Sequence, residues 1–207
     1  MTARFVTLEG GEGAGKSTQL KRLAEALRAR GLEVVETREP GGSPGAEAIR
    51  RLLLEGEGDR WTAEAEALLF AAARADHVAR IIRPALQRGA WVLCDRFLDS
   101  SIAYQGAAGA VGADAIRALH TVGSQGLLPD RTFLLELSDG EAARRLSVRD
   151  AGGSDRIGGR GDGFHGRVAQ AFRALAEAEP ERYRRVDAGG TAGEVTARLL
   201  GALEDLL

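Results

Sequence analysis

The residues from Gly10 to Ser17 read GGEGAGKS and complete the phosphate-loop motif G-x-x-x-x-G-K-[ST]. An apolar run predicts a strand before the motif, at Phe5 to Leu8. After it, Leu20, Leu23 and Leu27 recur at the spacing of one helix face. A loop that turns a strand into a helix N-terminus is the context in which this motif binds phosphate, so we expect an α/β fold with a nucleoside triphosphate as ligand.

Two side chains of the motif and one strand end suggest how a triphosphate would be held. Lys16 is expected to reach the β and γ phosphates, and the Ser17 hydroxyl to ligate Mg²⁺. The apolar run Trp91 to Cys94 ends at Asp95, a suitable second group for Mg²⁺ on a neighbouring strand, and Arg96 follows at once. An ordinary structural pairing of Asp95 and Arg96 with their neighbours is the alternative.

Composition excludes several classes of protein. The 207 residues suit one domain, and 28 Lys and Arg against 30 Asp and Glu give a net charge of −2, so nucleic acid is not an expected partner. The single cysteine, Cys94, sits in an apolar run and is expected to be a small buried residue. With no run of 18 apolar residues and no targeting segment before the first strand, we expect a soluble, cytoplasmic protein.

Strand-like and helical patterns alternate along the chain. Apolar runs occur at 5–8, 32–35, 91–94, 132–137 and 183–186, and helical patterns at 63–86, 113–125 and 164–179. A last helix opens with Thr191 and Glu194 at capping-box spacing. Alternation of this kind predicts a five-stranded parallel sheet with helices on both faces, and ligands outside the carboxyl ends of the strands.

One segment, at about 148–166, breaks this pattern. It is rich in glycine, arginine and aspartate and has almost no apolar residue except Ile157 and Phe164. We expect a mobile loop that contributes nothing to the core, either a lid over the nucleotide or a disordered insertion.

A GTPase is poorly supported, since the chain has no N-K-x-D motif and its D-x-x-G match at Asp187 to Gly190 comes far too late. Nucleotide kinases fit better, because they combine a phosphate loop with arginines from several strand ends and an arginine-bearing lid.

Longer sequence strings point to one family within the nucleotide kinases. They are LEGGEGAGKS at 8–17, TREPGG at 37–42, DR at 95–96 with SS at 100–101 and AYQG at 103–106, PD at 129–130 and DRI at 155–157. Together, and in this order, they resemble the thymidylate kinases of bacteria over essentially the whole chain, 1–207, as a single domain. The resemblance implies transfer of the γ phosphate of ATP to dTMP with Mg²⁺, the P-loop kinase fold, and a homodimer formed through long helices such as 63–86.

For the base of dTMP, the resemblance implies contacts from two regions. Phe70 and Arg74, four residues apart on one helix face, resemble the ring that stacks on thymine and the guanidinium that binds its O4 carbonyl. A core Phe with a solvated Arg is the alternative. Ser101 and Gln105 resemble the polar side chains that contact the thymine edge.

For the sugar and the phosphate of dTMP, the resemblance implies a second set of side chains. Arg50 and Arg96 resemble the clamp on the phosphate, which suits a planar and permanently charged guanidinium. Tyr104 resembles the side chain that leaves no room for a ribose 2′-hydroxyl, and Glu12 the carboxylate near the 3′-hydroxyl. Glu39, in the TREPGG string, is assigned to the dTMP site as a whole.

The donor site follows from the same resemblance. Its ATP-binding residues would be Gly10, Gly11, Glu12, Gly13, Ala14, Gly15, Lys16, Ser17 and Thr18, with Arg145 packing on adenine and Ser17 and Asp95 serving Mg²⁺. Because the phosphate loop itself carries no arginine, cations for the transferring phosphate are expected from the lid.

The lid offers Arg149, Arg156 and Arg160. Arg156 is the first choice, since DRI at 155–157 keeps the family string, and Arg149 is the second. The usual acidic residue after this string is replaced by Gly158-Gly159, which leaves open which arginine reaches the γ phosphate.

Two other functions are alternatives to a dTMP kinase. They are a kinase for another nucleoside monophosphate and a catalytically weak nucleotide sensor.

Overall fold

The computed structural model describes residues 2–56, 60–138, 141 and 155–207. In these ranges the chain forms one parallel sheet of five strands, as the alternation of patterns predicted. The strands are β1 (Phe5–Gly10), β2 (Val34–Arg38), β3 (Trp91–Asp95), β4 (Arg131–Glu136) and β5 (Tyr183–Asp187). The poorest match to the sequence prediction is β2, which was expected at 32–35.

The strand order is β2-β3-β1-β4-β5, so the strand that leads into the phosphate loop lies at the centre of the sheet. β1 pairs with β3, with Leu8 opposite Asp95, and with β4, with Gly10 opposite Leu135. The carboxyl ends of parallel strands meet at one edge, where ligands of open α/β sheets bind. The fold therefore brings Asp95 beside the phosphate loop, as predicted.

Helices cover both faces of this sheet. Those in the described ranges are α1 (Lys16–Ala29), α2 (Pro44–Leu54), α3 (Ala63–His77), α4 (Arg83–Gln87), α5 (Leu98–Ser101), α6 (Ala113–Ser124), α7 (Asp162–Ala178) and α8 (Ala192–Gly201). The helix predicted over 63–86 is confirmed as α3 and α4 joined by the π-helical segment Val78–Ile82. α6 and α7 match the other two predicted helices, and α8 begins at the predicted capping box of Thr191 and Glu194.

The sheet separates two apolar layers. Successive side chains of β1 alternate between them: Phe5 belongs to the layer that contains Phe97 and Phe172, and Val6 to the layer under α1 and α8. Cys94 is fully buried, and burial raises the pKa of its thiol, as expected of a small core residue. None of the described helices is long and apolar enough to cross a membrane.

Two helical stretches near the carboxyl edge were not predicted. α2 begins where Ser43 Oγ accepts a hydrogen bond from the backbone N–H of Ala46 (3.4 Å) and Pro44 takes the first helical position, a capping signal present in the sequence. After α5 the chain continues as a π-helical segment, Ile102–Ala108. This wider helix has no signal in the 3.6-residue period, and it carries Tyr104 and Gln105.

Candidate active site

The phosphate loop joins the end of β1 to the first turn of α1. Gly10 has a φ of 132°, and a Cβ at this position would collide with the carbonyl oxygen of Leu135 on β4, so the position requires glycine. Gly13 and Gly15 also have positive φ, at 72° and 85°. The loop thus presents the positive end of the α1 dipole at the carboxyl edge of the sheet, which is a site for phosphate.

Lys16 lies inside this loop. Its Nζ donates hydrogen bonds to the carbonyl oxygens of Gly11 (2.7 Å) and Gly10 (3.1 Å). Burial, reinforced by repulsion from Arg96, lowers the pKa of Lys16 to about 7. A phosphate bound here would favour the protonated form, because an opposite charge within a few ångströms stabilises the ammonium group.

Ser17 and Asp95 meet at the mouth of the loop. Ser17 Oγ donates a hydrogen bond to Asp95 Oδ2 at 2.6 Å. A hydroxyl and a carboxylate are hard oxygen donors, which fit Mg²⁺. The described residues contain no group of three or more His, Cys, Asp or Glu that could hold a metal. Mg²⁺ is commonly bound through one or two carboxylates with water and phosphate oxygens completing its shell, so this pair is a suitable donor set.

Arg96 follows Asp95 in a backbone conformation that favours glycine, with a φ of 68°. Its backbone N–H donates to the carbonyl of Leu8 (3.0 Å), and its Nη1 donates to the carbonyl of Gly10 (3.2 Å) and to Ser100 Oγ (3.0 Å). The guanidinium carbon lies 5.1 Å from the centre of the Tyr104 ring. These contacts hold the guanidinium between the phosphate loop and Tyr104.

Glu9 supports the same turn and was missed by the sequence analysis. Its carboxylate accepts hydrogen bonds from the backbone N–H of Phe97 (2.8 Å) and from Ser100 Oγ (2.6 Å). Burial, with repulsion from Asp99, raises the pKa of Glu9 to about 7. A glutamate inside the run FVTLEG, where a strand is buried on both faces, was the signal available in the sequence.

A cavity of about 240 Å³ lies between the phosphate loop and the helices beyond the strand ends. It is lined by Glu12, Ser17, Arg38, Glu39, Pro40, Arg50, Leu54, Phe70, Arg74, Asp95, Arg96, Phe97, Ser100, Ser101, Tyr104, Gln105, Asp155 and Ile157. Every residue predicted for the dTMP site is in this set. Arg38, in the TREPGG string, joins Arg50 and Arg96 but was not assigned a role from the sequence.

Arg74 lines the cavity and is held by buried partners. Its Nε pairs with Glu39 Oε2 (2.7 Å), and its Nη2 donates to Ser101 Oγ (2.7 Å) and to the carbonyl of Phe97 (3.2 Å). His77 Nδ1 lies 2.9 Å from Glu39 Oε1. Burial opposes ionisation of Glu39, but Arg74 and His77 outweigh it, so its pKa is lowered. Arg74 is therefore a buried, fixed cation and not a solvated one.

Part of the predicted lid, 155–166, is described, and it corrects one expectation. Ile157 is buried in the core and the last residues of the segment belong to the first turn of α7, so these residues do contribute to packing. The Arg156 side chain is fully buried: its Nε donates to the carbonyl of Leu53 (2.8 Å), and its Nη2 pairs with Glu66. This position does not support the choice of Arg156 as the cation on the γ phosphate.

Two other predicted residues lie outside the described part of the chain. They are Arg145, expected on adenine, and Arg149, the second lid arginine. Arg160 is described, and its Nη2 also pairs with Glu66, at 2.7 Å. Donor-site positions 10–18 lie together on the loop and the first turn of α1.

A phosphate loop at the central strand, an acidic residue at the end of the adjacent strand, and an arginine-rich cavity beside them define a P-loop nucleotide kinase. The family model of thymidylate kinase matches residues 8–199. The chain therefore belongs to the thymidylate kinase family.

Individual relatives agree with this assignment. The chain is 66% identical to a thymidylate kinase of Rhizorhabdus wittichii over 207 residues, which is 100% of both chains. It is 48% identical to a thymidylate kinase of Bradyrhizobium diazoefficiens over 99% of this chain and 90% of that protein. Its fold matches the crystal structure of thymidylate kinase from Ehrlichia chaffeensis with a TM-score of 0.81 and 31% identity, covering 99% of this chain and 100% of that one.

Proposed function

We propose that this protein transfers the γ phosphate of ATP to dTMP, giving ADP and dTDP for dTTP synthesis. The observation that carries the proposal is a single cavity with two chemically different ends. Asp95, Ser17 and three arginines line its end beside the phosphate loop, and Phe70 with the buried Arg74 lines the other. This arrangement suits an acceptor with a flat polar base at one end and a phosphate at the other.

At the base end, we assign four side chains to thymine. Phe70 offers a face for stacking, and Arg74, Ser101 and Gln105 offer hydrogen bonds along the edge of a pyrimidine. The buried bonds of Arg74 to Glu39 and Ser101 hold its guanidinium without the base, so its position is set in advance. Glu39 acts in this assignment by holding Arg74.

A further set of groups that line the cavity is assigned to the sugar and the monophosphate. Tyr104, whose ring lies against Arg96, is assigned to crowd a ribose 2′-hydroxyl, and Glu12 is assigned to the 3′-hydroxyl side. Arg50 and Arg96 are assigned to the phosphate. The structure adds Arg38, since it lines the same cavity and carries the same charge.

At the donor end, the loop over 10–18 is assigned to the phosphates of ATP. Lys16 would neutralise charge on the β and γ phosphates. Ser17 and Asp95 would hold Mg²⁺, which would neutralise negative charge on the donor phosphates. Arg145 is assigned to adenine. The lid cation is assigned to Arg149, because Arg156 is committed to Glu66 and the Leu53 carbonyl.

The reaction needs no covalent intermediate. Arg96 touches the phosphate-loop carbonyl of Gly10 and lines the acceptor cavity, so it lies where both phosphates would meet. Lys16 reaches that point from the donor side. Positioning and charge neutralisation supply most of the catalysis in such in-line transfers.

We further propose a cytoplasmic homodimer of a single-domain chain. Leu68 on α3 and Val122 on α6 are exposed, by 56% and 85%, and these two helices pack side by side. An exposed apolar side chain on each of two adjacent helices suits a contact with a second copy.

Product analysis tests the proposed reaction. The protein is incubated with ATP, Mg²⁺ and dTMP, and nucleotides are separated by ion-exchange chromatography. We expect dTDP and ADP in equal amounts, and neither with the Lys16→Met variant. ADP without dTDP would indicate hydrolysis alone and contradict the proposal.

A further inference from the structure

Glu66 is a buried carboxylate outside the set of residues assigned to either substrate. It lies in the first turn of α3, the helix that also carries Phe70 and Arg74, and is 2% exposed. Donors reach it from two other parts of the chain: Gln105 in the π-helical segment, and Arg156 and Arg160 in the segment before α7. One carboxylate thus joins three segments beside the cavity.

The two oxygens of Glu66 have different partners. Oε2 accepts from Arg156 and from Arg160, the latter at 2.7 Å, and Oε1 accepts from Gln105 Nε2 at 3.0 Å. Arg156 is itself held by the carbonyl of Leu53 at the end of α2. Both guanidinium groups bind Oε2, so Oε1 is left for Gln105. A carboxylate oxygen can only accept a hydrogen bond, so Gln105 must donate to it.

This pairing sets the direction of the Gln105 amide. A carboxylate acceptor requires the amide to present its nitrogen, so its carbonyl oxygen lies on the other side of the amide group. Gln105 also lines the cavity. A carbonyl that faces a base accepts a hydrogen bond and cannot donate one.

Pyrimidine bases differ at N3, the ring position that a carbonyl on this edge would meet. Thymine and uracil carry an N–H at N3, flanked by two carbonyls, whereas cytosine has an unprotonated N3 that accepts. A Gln105 carbonyl oxygen fixed toward the base therefore favours thymine or uracil. Beside cytosine N3 it would face another acceptor, so the two would repel each other. A site built around one direction of a hydrogen bond rejects the wrong partner strongly.

We propose that Glu66 is a positioning residue that determines base specificity by fixing the Gln105 amide with its carbonyl toward the base. The proposal rests on the proposed function, because it assumes a pyrimidine monophosphate in this cavity. Arg156 and Arg160 contribute by holding the carboxylate and taking its second oxygen.

The direct test is Glu66→Gln. The amide oxygen introduced at position 66 would pair with the arginines, since its NH₂ group is repelled by them, and that NH₂ would then face Gln105. Gln105 would have to turn its carbonyl toward position 66 and its nitrogen toward the base. We expect the ratio of kcat/KM for dTMP to that for dCMP to fall by at least about 10-fold, the size expected when one hydrogen bond is replaced by a mismatch.

The kinetic signature separates positioning from general damage. A contact with the base acts in both ground and transition states, so the loss for dTMP should appear in KM, with kcat changed by less than about threefold. KM for ATP should not change. Glu64→Gln, an exposed carboxylate on the same turn of α3, is the matched control and should keep the wild-type ratio.

A second variant covers the case in which Glu66→Gln does not fold. Glu66→Leu combined with Arg156→Met replaces a buried ion pair by apolar groups, which proteins often tolerate. It frees the Gln105 amide and should lower the same ratio by about 10-fold. A dTMP-to-dCMP ratio within about threefold of the wild type, in either folded variant, would overturn the role of Glu66.

The two proposals fail in different ways. If the wild-type protein does not phosphorylate dTMP, the proposed function is wrong. If the wild type prefers dTMP and the Glu66 variants keep that preference, the function stands and the inference about Glu66 is wrong.

Discussion

Arg74 and Glu39, which both line the cavity, form an ion pair with 2.7 Å between Nε and Oε2, and both side chains are almost fully buried. The other carboxylate oxygen lies 2.9 Å from His77 Nδ1, and His77 Nε2 lies 2.6 Å from Thr37 Oγ1. A chain of polar groups, half-buried at Thr37 and buried from His77 onward, thus runs from β2 to Arg74. It fixes the cation that we assign to the base before any ligand arrives.

We predict that Glu39→Gln destabilises the folded protein by about 3–5 kcal/mol, because it leaves the Arg74 guanidinium buried without a counter-charge. Urea unfolding followed by circular dichroism measures this. The control is Glu33→Gln, which breaks an exposed pair with Arg88 and should change stability by less than about 1 kcal/mol. Equal effects of both variants would contradict a special role for the buried pair.

The Arg74–Glu39 pair also predicts how the free energy of unfolding depends on pH. The pKa of Glu39 is lowered in the folded state, so its stabilising contribution is present above the unfolded value of about 4.3 and is lost as pH falls through the folded value. The difference in unfolding free energy between the wild type and Glu39→Gln should therefore shrink on acidification below about pH 4. A difference that stays constant down to pH 3 would contradict this assignment.

Lys16 predicts proton uptake on nucleotide binding. With a pKa of about 7, Lys16 is mostly neutral at pH 8 in the ligand-free protein, and a bound triphosphate favours its charged form. Titration calorimetry with a non-hydrolysable ATP analogue, in buffers of different ionisation enthalpy, should show uptake of about 0.5–1 proton at pH 8 and close to none at pH 6. Lys16→Met should abolish the uptake at pH 8. Uptake that persists in this variant would assign the proton to another group.

Variants of Lys16 and Arg96 should differ in their effect on dTMP binding, because we assign the two residues to different substrates. Lys16→Met should reduce kcat severely while leaving dTMP affinity nearly unchanged, because Lys16 lies in the phosphate loop. Arg96→Ala should reduce both dTMP affinity and kcat, since its contact with the acceptor phosphate persists into the transition state. Calorimetry of dTMP binding measures the affinities. Loss of dTMP binding in a folded Lys16→Met variant would contradict the division into two sites.

The lid arginines should also differ from each other. Arg149→Ala should lower kcat by at least about 10²-fold with little change in KM for dTMP, a lower bound set below the roughly 10³–10⁵-fold that such a cation supplies. Arg156→Ala should instead lower stability and raise KM for dTMP, because its guanidinium is bound to Glu66 and the Leu53 carbonyl. Single-turnover kinetics with melting curves separates the two effects. The reverse pattern would restore Arg156 as the cation on the γ phosphate.

Much of the fold could be predicted from residue periodicity. All five strands overlap predicted apolar runs, and α3, α6, α7 and α8 overlap predicted helices. α2 was not predicted, although Ser43-Pro44 is a capping signal in the sequence. The Ile102–Ala108 segment was not predicted because a π-helical turn does not follow the helical period.

The candidate site residues were proposed from local strings, and the residues that were missed are those whose partners are distant in sequence. Glu9 lies in the string at 8–17 but was given no role, and Glu66 lies in none of the strings. Each is buried against donors about 90 residues away, at Phe97 and Arg156. Composition also misjudged the glycine-rich segment: Ile157 and Arg156 reach the core although their neighbours are polar. A count of apolar residues cannot show that one arginine will be buried by a distant glutamate.

The measurement that tests the central claim most directly is kcat/KM for a panel of monophosphates with saturating ATP and Mg²⁺. We predict the highest value for dTMP and a lower value for dUMP, by a factor of about 10–200 for the missing methyl group. The values for dCMP, dGMP and AMP should be lower than that of dTMP by up to about 10⁴-fold, since their edges mismatch Arg74, Ser101 and Gln105. Comparable values for dCMP and dTMP would contradict the assignment of this cavity to thymine.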